Sequence, residues 1–168
     1  GCDSGGVMVI VYAVKGFDGA NLPLDNPLQV PAHRYSGRVL ASGKEAVRTT
    51  PKFERGRLLG DVVFVSGTAA IKGEDSEFSE DTRVQALGAI DVVEHLVAPS
   101  NISPDCSAFR FGYLRVYVRR PQDLEPVREM FISHFKDTPI HFLQADICRP
   151  ELLLELEGVG RALPFLKP

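Results

Sequence analysis

Three stretches near the C-terminus constrain the fold more than any other part of the sequence. Leu114, Val116 and Val118 alternate with Tyr113, Arg115, Tyr117 and Arg119. Leu143, Ala145 and Ile147 alternate with Gln144, Asp146 and Cys148, and Leu152, Leu154 and Leu156 alternate with Leu153, Glu155 and Glu157. Successive side chains on a strand point to opposite faces. A sheet built from these segments has one aliphatic face that must be covered and a second face that gathers arginine, tyrosine, glutamine, aspartate, cysteine and glutamate. That second face has two readings, a solvated surface with cross-strand ion pairs or a partly buried interface between subunits. Tyrosines and a cysteine mixed with the charges fit the interface better.

Two helices are available as cover. Residues 82–97 place Ala86, Ile90, Val93 and Val97 at helical spacing behind the acidic pair Glu80 and Asp81, which suits a helix N-terminus. Residues 124–136 carry a stripe of Leu124, Val127, Phe131 and Phe135, with Pro126 tolerated in the first turn. Strands are expected at 7–14, at 55–59 and 61–68 as a hairpin turning at Gly60-Asp61, at 109–119, at 141–148 and at 151–159. The stretch 20–52, rich in Pro, Gly, Asn and Ser, reads as irregular, with one edge strand at 30–35. The order β-β-β-α-β-α-β-β gives the fold class α+β, a mixed β-sheet with two helices packed on one face.

The chain has 168 residues, enough for one domain with a real core and short for two. With 19 basic against 22 acidic residues the formal net charge is −3, so no global basic field argues for nucleic acid. No apolar run approaches the roughly 18 residues of a membrane span; Val7–Val14 is interrupted by Tyr12 and stops at Lys15. The expected partners therefore exclude nucleic acid and membrane. Three cysteines, Cys2, Cys106 and Cys148, lack metal-type spacing and suggest a reduced, cytoplasmic protein. The dipeptide Gly1-Cys2 leaves a lipoprotein anchored at Cys2 as the minor alternative. The four histidines form no constellation, and no Ser/His/Asp set, zinc spacing or phosphate loop is present, so no metal site is expected.

Val63-Phe64-Val65-Ser66-Gly67-Thr68, a helix containing Gln85, the strand Leu114-Arg115-Val116-Tyr117-Val118, a second helix ending in Phe135, and the close Glu155-Leu156-Glu157 together resemble the YjgF/RidA-like superfamily. The resemblance implies a compact homotrimer with ligand clefts between subunits and cofactor-free chemistry. Within it, Asn26 to Tyr35, Ser66-Gly67-Thr68-Ala69, Val116-Tyr117-Val118-Arg119-Arg120-Pro121 and, as the most specific signal, Gln144-Ala145-Asp146-Ile147-Cys148-Arg149 resemble the C-terminal half of chorismatases. On this basis residues 24–162 are one RidA/chorismatase-like domain, preceded by an N-terminal strand and turn at 1–23 and followed by a tail at 163–168. Chorismatases have a further N-terminal half, whereas only about the first 20 residues here precede the shared region.

The resemblance assigns Glu155 as the general acid that protonates an enol ether, and places Cys148 where chorismatases that form 3-hydroxybenzoate have a cysteine. A carboxyl able to act so near neutral pH needs its pKa raised, by burial or by a neighbour such as Glu157. The bland alternatives are a surface glutamate paired with Arg115 or Arg149, and an inert buried cysteine. Arg115, Tyr117, Gln144, Arg149, Ser66 and Thr68 are the candidate substrate-binding residues, Arg119 is a further cation, and Asp146 is expected to orient an arginine. The expected ligand is a small carboxylated metabolite. Imine-deaminating relatives carry an arginine at the start of the penultimate strand where this chain has His141, a poor substitute for a two-pronged carboxylate grip. Three functions thus stand open: cleavage of chorismate or a similar enol ether to release pyruvate, imine/enamine deamination, and non-catalytic ligand binding by a trimer.

Overall fold

The computed structural model describes residues 13–39, 50–77 and 80–165. Its strands are β1 (Asn21–Leu24), β2 (Gly56–Leu59), β3 (Val62–Thr68), β4 (Ile71–Lys72), β5 (Asp75–Ser76), β6 (Cys106–Val118), β7 (Ile140–Gln144) and β8 (Leu154–Pro164). Its helices are α1 (Thr82–Leu96), the short α2 (Pro99–Ile102) and α3 (Leu124–His134). Six strands form one sheet in the order β1-β2-β3-β8-β6-β7, while β4 and β5 make a separate two-stranded ribbon. The β6–β7 pair, joined through α3, is parallel, and the other neighbours are antiparallel. The sheet is therefore mixed, and the fold is α+β.

Each element follows from local chemistry. The β2–β3 hairpin turns at Gly60, whose φ of 65° is the left-handed conformation that glycine adopts without strain. Asp81 caps α1, its carboxylate accepting the Arg83 backbone N–H at 2.8 Å. The apolar stripe of α1 and the Val127–Phe131 stripe of α3 meet one face of the sheet. There Leu58, Val63, Val65, Leu114, Val116, Val118, Leu154 and Leu156 are all buried in a single core with Ala86, Ala89, Ile90, Val93 and Leu96. Each such Val, Leu or Phe contributes about 1.5–3 kcal/mol on burial. Gln85, fully buried in α1, ties the core to the approach of β8: its amide donates to the Glu151 carbonyl at 2.8 Å and accepts from the Leu153 N–H at 2.9 Å.

Several expectations need correction. The edge strand expected at 30–35 is a 3-10 turn at Ala32–Arg34, because Pro31 has no N–H for a ladder and its carbonyl instead accepts from Arg34. The first edge position is taken by β1. Of the strand expected at 7–14, residues 7–12 lie outside the described residues, and 13–14 have no regular structure. Two covering helices were expected, and α2 is a third, of one turn. The expected strand 109–119 begins three residues earlier, at Cys106, and the last strand begins at Leu154 rather than 151.

The largest correction concerns β7. It ends at Gln144, and its register pairs Val116 with Phe142, Tyr117 with Leu143 and Val118 with Gln144. Ile140 and Phe142 therefore take the helix-facing side and pack on the core. Leu143 falls on the other face and is 41 % exposed. The expected phase, with Leu143 inward and Gln144 outward, is reversed. A one-residue slip flips every side chain of a strand.

Candidate functional site

With Leu154 and Leu156 fixed in the core, Glu155 and Glu157 must emerge on the opposite face of β8. The β6–β8 register sets Arg115 opposite Glu157 and Tyr117 opposite Glu155. Glu157 draws in both neighbours: it accepts a hydrogen bond of 2.6 Å from the Tyr117 hydroxyl and lies 2.9 Å from Arg115 Nε. The Arg115 guanidinium also stands 5.8 Å from the Tyr113 ring centroid. Burial, then the Glu157 hydrogen bond and charge, push the Tyr117 phenol up to about 12. Near neutral pH it is a hydrogen-bond donor and not a base.

Glu155 has a different environment. Among the described residues no donor reaches its carboxylate. Burial, and secondarily the charge of Glu157, push its pKa above the usual value, with Arg55 opposing. Room for the carboxyl comes from β3. A register irregularity between Val65 and Thr68 bows the strand at Ser66-Gly67. The bow is closed by the buried Thr68 hydroxyl donating to the Ser66 carbonyl at 2.9 Å and by the Ser66 N–H donating to the Arg55 carbonyl at 3.0 Å. A β-carbon on Gly67 would overlap Glu155 Oε1, so the glutamate occupies the space that the glycine leaves free.

The segment between β7 and β8 completes the cluster. Ile147 and Leu152 fold back with Ala69 and Ile71 against Tyr117; Leu152, expected under the helices, belongs to this second small core. Arg119 organises the intervening turn, its guanidinium donating to the carbonyls of Ile147 (2.6 Å), Arg149 (3.0 Å) and Pro150. Cys148 is thereby presented between two clamped neighbours. It is exposed, yet the surrounding atoms desolvate the thiol enough to raise its pKa, the Glu155 charge adding to the effect and Arg149 opposing it. A raised thiol is a poor nucleophile near neutral pH. Arg149 Nη1 donates to the Glu74 carbonyl at 2.9 Å and to Ser76 Oγ at 3.0 Å.

The structure thus brings Glu155, Glu157, Tyr117, Arg115, Cys148 and Arg149 to one side of the sheet, with Ser66 and Thr68 shaping the bow beside them. Gln144 is not among them: it shares the phase of Val118 at the end of the edge strand and is exposed. Asp146, expected to orient an arginine, is 93 % exposed and only 4.0 Å from Arg119 Nε. Three residues were given no site role at the sequence level. Arg55 is 4 % exposed, its Nη2 donating to the Val30 carbonyl at 3.2 Å and to the Tyr35 hydroxyl. Tyr35 is itself buried, with Arg55 and Arg149 at 5.4 and 5.3 Å from its ring centroid. Gly67 is the third. The available signal for Arg55 was its phase, two residues before Arg57, whose register partner is Phe64 on the non-core face. Among the described residues no three His, Cys, Asp or Glu side chains group as a metal site, and no helix is long and apolar enough to cross a membrane.

No protein-family model matches the chain. It is similar to a 3-hydroxybenzoate synthase of Streptomyces hygroscopicus, 32 % identical over 95 % of this chain and 48 % of that protein. A chorismatase of Streptomyces rapamycinicus is 29 % identical over the same shares. The chain spans about half the length of these curated relatives. Among solved structures, a chorismatase superposes with a TM-score of 0.70 at 28 % identity, covering 84 % of this chain and 44 % of that one. Yeast Mmf1 superposes at 0.61 with 14 % identity, over 86 % of this chain and all of its own. A Mycobacterium tuberculosis member of the YjgF/YER057c/UK114 family reaches 0.53 at 18 % identity, over 66 % of this chain and 86 % of its own. The last two likenesses concern the fold alone.

Proposed function

The chain has a RidA-like fold related to chorismatase, and from that premise we propose that it is a cofactor-free enzyme that cleaves the enol ether of chorismate or a similar small carboxylated substrate. The observation that carries the reading is Glu155: a carboxyl without a hydrogen-bond donor among the described residues, seated against Gly67, with its pKa raised by burial and by Glu157. Such a group holds a proton to higher pH than an ordinary glutamate and can deliver it. Protonation of the methylene carbon makes an oxocarbenium ion. Water adds to that cation, and the hemiketal collapses to pyruvate and the ring alcohol.

Cys148, a neutral thiol on this account, shapes the fate of the cation and does not attack it. Arg149, held at the edge of the cluster, and Tyr117 are offered to the ring of the substrate. The relatives do not favour imine deamination, and His141 stands exposed on β7. Incubation with chorismate, followed by assay of pyruvate and chromatography of the aromatic products, tests the reading. Pyruvate release is expected, with the ratio of hydroxybenzoate to dihydroxy product altered in Cys148→Ala. Chorismate left intact by wild-type protein overturns it.

The assembly we propose is a homotrimer formed through the half-buried sheet face that carries Tyr113, Arg115 and Tyr117. Sedimentation equilibrium at micromolar concentration should give three times the chain mass, and a monomer throughout refutes it.

A further inference from the structure

The cations around the cluster are not equivalent. Arg115 is matched by Glu157 at 2.9 Å. Arg119 is occupied by three backbone carbonyls, and Arg149 by the Glu74 carbonyl and Ser76 Oγ. Arg55 differs. It is 4 % exposed, and its Nε, like those of Arg115 and Arg119, is buried with no hydrogen-bond partner. Among the described residues no carboxylate pairs with it. Its recorded contacts are two oxygens, of Val30 and Tyr35, and the rings of Phe53 and Tyr35 at 5.0 and 5.4 Å. A guanidinium this deeply buried and without a carboxylate in direct contact is costly, and stands only where something compensates it. Aromatic faces supply part of that compensation. They do not neutralise the charge.

Its place in the fold says what would. Arg55 immediately precedes β2, and its carbonyl accepts from Ser66 N–H, at the base of the bow whose Gly67 receives the Glu155 carboxyl. We infer that Arg55 is the seat for a carboxylate of the ligand, a buried cation held in place by Tyr35 and Phe53 and completed by the substrate's own negative charge beside Glu155. The inference rests on the proposed function, since it takes the ligand to be a small carboxylate bound at this cluster. It adds which side chain selects for the acid. It also gives a reason for an arginine in a nearly solvent-free position.

The ordering has a chemical logic. A general acid must be protonated, and hence uncharged, when the ligand is bound. Glu155 in that state offers Arg55 nothing, so the charge of Arg55 is left for the ligand. Arg55 neither donates nor receives a proton in the reaction; it touches the ligand and fixes the carboxylate end while Glu155 acts on the enol ether.

Calorimetric titration with 3-hydroxybenzoate and with its methyl ester isolates this role from catalysis. The two probes share ring and hydroxyl and differ in the negative charge. A charge-assisted hydrogen bond should make wild-type protein bind the acid at least about 10-fold more tightly than the ester. Arg55→Gln should erase that preference. Arg55→Lys keeps the charge without the planar fork, and should retain a reduced preference. It also serves as the test if the glutamine variant does not fold. An acid-over-ester preference that persists undiminished in either variant overturns the inference, as does equal binding of acid and ester by wild type. If wild-type protein binds neither probe, the underlying reading of the site as a small-carboxylate site falls, and the inference falls with it.

Discussion

The two faces of the sheet are made by the same strands and do different work. On the helix-covered side Leu114, Val116, Leu154 and Leu156 are wholly buried, packed under α1 and α3. On the other side their immediate neighbours Arg115, Tyr117, Glu155 and Glu157 are half-buried and charged or polar. The first face is stabilised by area removed from water, which is indifferent to the identity of any one partner. The second depends on particular pairs, and within it three groups engage one another while the fourth stands apart. Arg115, Tyr117 and Glu157 close a network, and Glu155 is left out of it, desolvated, beside a glycine. A chemically useful group arises where pairing is incomplete.

Substitutions on each face should have different consequences. The largest expected effect falls on the polar face: Glu155→Gln keeps shape and hydrogen-bonding capacity but removes the acid, so turnover of chorismate should fall about 10²–10⁴-fold with substrate still bound. Turnover at the wild-type rate would mean that the acid lies elsewhere. On the core face, Phe131→Ala empties a fully buried ring site and should cost about 3–5 kcal/mol in urea unfolding. A loss below about 1 kcal/mol would show that α3 is not the cover described here.

Gly67→Ala separates the faces most cleanly. Gly67 does not have a positive φ, and the atoms an added methyl meets belong to the flexible end of Glu155. Stability should change by less than about 1 kcal/mol, while displacement of the carboxyl lowers turnover on the order of 10²-fold. Equal loss in both would assign the glycine to the fold.

The smallest effect is a pH shift. Activity requires protonated Glu155, so it is lost as pH rises through the raised pKa of that group. Glu157→Gln removes a nearby negative charge and frees Arg115, and both changes favour the Glu155 carboxylate. The alkaline limb of the turnover profile should move to lower pH, by less than about one unit given the separation of alternate residues on a strand. The other titratable groups around Glu155, namely Arg55, Cys148 and Arg149, stay in place. A shift to higher pH contradicts the assignment of repulsion. The stability term has the same sign: because the folded pKa of Glu155 lies above its unfolded value, its contribution is present at low pH and is lost as pH rises through the folded pKa.

Much of this contrast was legible in the sequence, and the failures have physical causes. Both long helices and the β2–β3 hairpin announce themselves through a single periodicity with clear punctuation at Asp81 and Gly60. The β6 and β8 phases were readable because aliphatic and polar residues alternate without interruption. In β7 they do not: Phe142 and Leu143 are adjacent, so either phase offers an apolar set, and only pairing with β6 decides between them. Gln144 was misplaced for that reason. The residues around Glu155 were readable in part, from motifs that carried their own chemistry. Arg55 carried none, since what distinguishes it is deep burial without a carboxylate in direct contact, which is visible only in three dimensions.

The Arg119 clamp has a consequence for how the chain breathes. From Ile147 to Pro150 no ladder holds the backbone, and three carbonyls accept from one guanidinium. Release of that one side chain would free the Ile147 and Pro150 carbonyls together, while the Arg149 carbonyl keeps the Leu152 N–H. The turn bearing Cys148 is therefore tied to the neighbouring strand's end by one arginine and to the β4–β5 ribbon by another, and the access of solvent to the thiol depends on both side chains.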